Sequence, residues 1–197
     1  MNTLESSAEP SRESSLERPL RQPGEPLEPR RVVLSSAPGR EFRVQLGAGQ
    51  DLLTDLTAAL IAKGLRHAAV TLLRGCFSEL HFLVGKADDS GQRVATYGDP
   101  LALEGPVRLL GGHALLGEDA DGAPLLHCHA LFLDREGEPC GGHLIANSCR
   151  AGKDGLTVLV TELCDAGFKV AYESETNYAI FQPSRLTGQA KNSDNPA

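Results

Sequence analysis

Apolar residues along the chain follow two spacings, and together they predict a sheet protein with a single main helix. Leu52, Leu53, Leu56, Ala59 and Leu60 make one stripe at helical spacing, with Asp51 placed to cap the helix start and Gly64 to end it. Elsewhere apolar residues alternate with polar ones or form short continuous runs, as strands do. Strands are predicted over 31–35 and 40–46 around Pro38-Gly39, and over 68–73 and 78–84, joined through Gly75-Cys76-Phe77. Further strands are predicted over 101–110, 113–116, 125–133, 140–146, 157–163, 168–172 and 178–181. Long helices do not alternate with these strands, which disfavours a doubly wound parallel sheet. The expected class is α+β: a large, mainly antiparallel sheet, one amphipathic helix and a β-hairpin that carries the candidate metal ligands.

That hairpin runs from Pro124 to Asn147 and holds three of the six histidines, His127, His129 and His143. Asp134-Arg135-Glu136-Gly137 has turn chemistry, with Asp to start a type I turn and Gly for the left-handed position. A three-residue loop, Arg135 to Gly137, is a common hairpin form. It sets Asp134 opposite Glu138, hence His129 opposite His143, with His127 as the diagonal neighbour. A two-residue loop at Glu136-Gly137 would turn His143 away, and Glu-Gly suits that turn poorly. With the longer loop, three imidazoles share one face, while Cys128, Ala130, Phe132, Cys140 and Leu144 line the other. Gly141 falls opposite Leu131 and leaves space beside the histidines.

Three neutral imidazoles at one point suit a first-row divalent metal, Zn²⁺ most commonly, with a fourth position left for water or a ligand. His113 follows two glycines as His143 does, which makes it a candidate fourth ligand. Cys149 would approach the site only if the return strand continued past Asn147. Glu79 and His81 alternate with Leu80 and Phe82 and share a face, so they form a candidate supporting pair. Glu79 is the one carboxylate to nominate as a catalytic base.

These residues resemble the plants and prokaryotes conserved (PPC) domain family. The likeness rests on P-x-x-H-x-H, a D-x-x-G turn and G-G-H-L, and extends from about Glu41 to Pro183. The opening F-R-V-Q-L-G-A-G-Q-D-L-L-T-D-L, the segment L-E-G-P-V-R-L-L-G-G and the ending E-S-E-T-N-Y-A-I-F are similar to the family as well. The resemblance implies an α+β domain, assembly as a homotrimer, and a metal on the three histidines as in prokaryotic members. Plant members carry an Arg-Gly-Arg-Pro minor-groove hook; that tetrapeptide does not occur here.

Composition narrows the partners. The formal charge is −7, without the basic footprint of a phosphate-backbone binder, so nucleic acid is disfavoured. Residues 1–30 are rich in Ser, Glu, Pro and Arg and are expected to be a disordered tail, as are 185–197. One domain then spans 31–184. Five cysteines without C-x-x-C spacing, no apolar run of membrane length and no signal-like segment suit free thiols in the cytoplasm. There is no phosphate loop, G-x-S-x-G elbow or H-E-x-x-H helix. The leading expectation is a zinc-binding domain that takes a small molecule or anion at the open metal position. A zinc-dependent hydrolase and, by family analogy alone, a DNA-associated regulator are the alternatives.

Overall fold

The structure is a computed structural model and describes residues 21–186. The described residues form nine strands and one helix: β1 (Pro38–Leu46), α1 (Leu52–Ala62), β2 (Ala68–Leu83), β3 (Gly85–Lys86), β4 (Thr96–Tyr97), β5 (Leu101–Glu118), β6 (Pro124–Leu133), β7 (Pro139–Leu163), β8 (Ala166–Glu173) and β9 (Tyr178–Arg185). The fold class is the expected one, α+β and mainly antiparallel. Strand β2 pairs β5, β5 pairs β6, β6 pairs β7, and β7 returns to β2, so the pairing closes on itself. β1 extends the sheet beyond β7. The β8–β9 hairpin joins through one parallel pair, Glu118 with Lys169. β3 and β4 form a separate two-strand ribbon.

Several predicted breaks are bends within single long strands. Gly75 lies inside β2 with φ 136°, where an added Cβ would stand 2.3 Å from the Gly155 carbonyl oxygen; Gly155 itself has φ 69° in β7. Only glycine allows the two backbones this approach, and the ladder shifts register there instead of ending. In the same way 101–110 and 113–116 are one strand, as are 140–146 and 157–163. The strand expected over 31–35 is absent: that segment has no ladder partner, and Val32 and Val33 are exposed.

The expected tails are described only in part, since residues 1–20 and 187–197 lie outside the described residues. Within the rest, the Gly24 N–H donates to the Glu175 carbonyl, and Arg30 pairs with the Glu175 carboxylate at 2.6 Å. At the other end Arg185 still belongs to β9, paired with Ala166.

The core lies between α1 and the inward face of the sheet. Leu52, Leu56 and Leu60 belong to one buried cluster with Phe77, Leu80, Val107, Leu116 and Phe132, all with almost no exposure. Each such side chain contributes roughly 1.5–3 kcal/mol by leaving water. Asp51 fixes the helix start: its Oδ1 accepts the N–H groups of Leu53 (3.1 Å) and Thr54 (2.8 Å). Its Oδ2 accepts the Cys149 N–H at 2.8 Å, which ties the cap to β7.

Candidate metal centre

Two turns of identical pattern, D-x-x-G-x, bracket β6 and set its register. Asp119 Oδ1 accepts the N–H groups of Asp121 and Ala123, and Asp134 Oδ1 accepts those of Glu136 and Glu138. Gly122 and Gly137 take the left-handed positions, at φ 88° and 90°. The second turn is the predicted three-residue loop. Its consequence is the predicted pairing, Leu131 with Gly141 and His129 with His143. Inward from the hairpin, Cys128, Ala130, Phe132 and Leu144 are buried, and Phe132 meets Phe82 edge-on at 5.0 Å. Cys140 is only partly buried, short of the expectation, because it sits at the turn end of the hairpin next to Pro139.

On the outward face the three imidazoles converge. One nitrogen from each of His127, His129 and His143 lies within 4.8 Å of the other two. The Nε2 atoms of His127 and His129 are 3.1 Å apart. Nitrogens bound tetrahedrally to zinc at roughly 2.0–2.1 Å stand about 3.3–3.4 Å from each other, so this pair is already near ligand spacing. His143 Nδ1 is buried without a hydrogen-bond partner among the described residues. A polar atom in that position is one that a metal ion or bound ligand would satisfy. Burial holds all three rings below the usual histidine range, and His143 is pushed down to about 4 with His127 and His129 adding to the effect. The rings are therefore neutral near pH 7, with lone pairs free for a metal. The residues present fit a metal ion.

Two aromatic walls were not visible in sequence. Tyr97, on the short strand β4, lies tilted on His143 with ring centroids 5.2 Å apart. Phe181 of β9 meets His127 edge-on at 5.6 Å. Tyr97 comes from a polar stretch with no strand periodicity, so nothing in its neighbourhood marked it. Phe181 ends a strand that the sequence did predict.

The remaining candidates stand apart. His113 pairs directly with His129 across the β5–β6 ladder and shares its face, yet it is exposed and outside the converging group. Cys149 faces the core, with its Sγ 3.2 Å from the Ile145 carbonyl oxygen. Glu79 lies 3.5 Å from both His81 Nε2 and Arg150 Nε. Leu83, four positions further along β2, is the residue that pairs with His143. At about 3.3 Å per residue this puts Glu79 roughly 13 Å along the strand from the histidines of the same chain. The space expected beside Gly141 is filled as well: a Cβ there would stand 2.5 Å from Leu131 Cδ2.

A self-closing antiparallel sheet with three convergent histidines on its outer face defines a small β-rich domain able to hold a metal ion. The chain belongs to the Plants and Prokaryotes Conserved (PCC, also PPC) domain family, whose family model matches residues 34–161. Among solved structures it is similar to a metal-containing protein from Archaeoglobus fulgidus, at 23% identity and TM-score 0.62, covering 77% of this chain and 99% of that one. It is also similar to a plant- and prokaryote-conserved protein from Pyrococcus horikoshii, at 19% identity and TM-score 0.61, covering 79% and 100%. A putative DNA-binding protein from Ralstonia eutropha shares the fold at 18% identity and TM-score 0.56, covering 71% and 89%. No curated protein shows significant similarity to the chain.

Proposed function

We propose that this domain holds a Zn²⁺ ion through His127, His129 and His143 within a homotrimer, and binds a small molecule or anion at the metal's remaining position. The observation that carries this reading is the convergence of three neutral imidazoles, two of them 3.1 Å apart nitrogen to nitrogen. In this reading the paired strands β6 and β7 hold the rings in place, while Tyr97 and Phe181 restrict their rotation from two sides. A zinc ion on three protein ligands supplies a Lewis-acidic position that accepts an anion or a polar oxygen. The Archaeoglobus protein contains metal, in keeping with this reading. DNA binding, the putative role of the Ralstonia protein, suits this chain less well, because a net charge of −7 repels a phosphate backbone.

Elemental analysis of protein purified without chelator tests the proposal. The expected result is close to one zinc per chain in the wild type and almost none in His129→Ala, since two imidazoles leave a largely hydrated ion. Wild-type protein without any first-row metal, after exposure to zinc and desalting, would refute it.

A further inference from the structure

We propose a second ligand site, specific for a small phosphate-bearing molecule, in the groove beside the Asp134 turn. The groove has a volume of about 920 Å³, within the range of small-molecule sites. Arg74 of β2, Arg108 of β5, Arg135 of the turn and Lys153 of β7 line it. Among the described residues, Arg74, Arg108 and Lys153 make no ion pair.

Three carboxylates also border the groove: Asp134, Glu136 and Asp154. Asp134 Oδ1 is occupied by two turn N–H groups, and Glu136 lies 3.9 Å from Arg135 Nε. Asp154 makes no ion pair among the described residues and offsets Lys153 beside it, which leaves Arg74 and Arg108 as the cations to act on a ligand. Arg108 sits between Cys76 and Leu133 in the β2–β5–β6 ladder, so rigid strands carry it. Guanidinium groups on a fixed frame offer paired donors that match phosphate oxygens. A compact ligand is favoured over an extended polyanion, because the bordering carboxylates would repel a strand running past the groove. Leu133 is four positions from His129 along β6, about 13 Å, so one small ligand would not span both sites.

Calorimetric titration of the full chain with inorganic pyrophosphate tests this, with thermal denaturation as the control for folding. The expected result is saturable binding below about 1 mM that weakens with added salt. Arg108→Ala and Arg74→Ala should each weaken it by about tenfold or more, Arg108→Lys should weaken it less than Arg108→Ala, and the wild-type protein stripped of metal by chelator should keep this arginine-dependent binding. The proposal is overturned by no saturable binding up to about 10 mM. It is overturned equally by binding that chelator abolishes and folded arginine variants retain, which would assign the phosphate to the metal. Duplex DNA binding more tightly than pyrophosphate, through the same arginines, would replace the small ligand with a polymer.

Discussion

At the level of single residues, burial decides both protonation and reactivity. The three histidine rings titrate below 6.5, with His143 near 4, so protons do not compete for their lone pairs until the pH falls below the ordinary histidine range. Bound zinc should be retained without change from pH 8 down to about 6.5 and released between there and about 4. Over the same interval the metal-free protein should lose stability, since its unfolded chain binds protons that the folded rings refuse. Zinc release complete above pH 6.5 in a pH-stepped dialysis would contradict this. Thiols follow the same rule in the opposite direction. Cys128 and Cys149 are fully buried and pushed up to about 12 by burial, whereas Cys76, Cys140 and Cys164 are partly accessible. A bulky disulfide reagent under native conditions should label only members of the second group. Labelling of Cys128 would mean that the β6 register is wrong, and with it the convergence of the histidines.

At the level of elements, close backbone approach holds the site. A Cβ on Gly142 would stand 2.3 Å from the Leu83 carbonyl oxygen, a backbone atom that cannot rotate away. Gly142→Ala should therefore push β7 from β2 beside His143, cost about 1–3 kcal/mol, and weaken zinc retention without touching a ligand. Unchanged zinc content and melting temperature would show that the strands give way more easily than this packing implies. Asp51→Ala acts elsewhere: it removes the helix cap and leaves the buried Cys149 N–H unpaired, for a loss of about 2–3 kcal/mol in chemical denaturation. The sequence made these two elements readable because each depends on local chemistry. Asp134 and Gly137 dictate the loop and hence which histidine faces which; Asp51 and the leucine stripe dictate the helix. Long-range pairing was less readable. Gly75 and Gly111-Gly112 look like strand ends, yet the sheet absorbs Gly75 as a bulge and sets Gly111 and Gly112 opposite Leu131 and Ala130. Conversely, residues 31–35 have strand-like composition but no neighbouring strand to pair with. Tyr97 reaches His143 only through tertiary placement of a two-residue strand, which no local pattern encodes.

For the molecule as a whole, the outward face that carries the histidines also leaves apolar side chains in water. Leu131 is 63% exposed and Leu110 53%, and Leu73 is 39% exposed on the adjoining β2. In the ladder Leu131 pairs with Gly111, two residues from the His113–His129 pair, so this apolar strip borders the candidate metal site. Exposed apolar strips of this kind are removed by symmetric association. The strip supports the proposed homotrimer, with the threefold closure itself expected from the family. Light scattering should give a mass near three times the 20.9 kDa chain at micromolar concentration. Leu131→Asp should shift it toward a single chain while changing the monomer's own stability by only about 0.5 kcal/mol, because the side chain is largely exposed there. If neighbouring subunits shelter the histidines, that monomer should also lose zinc to a chelator faster than the wild type. A wild-type monomer that keeps its zinc would defeat both the assembly and its coupling to the metal. A trimer unaffected by Leu131→Asp would instead move the interface to another face of the sheet.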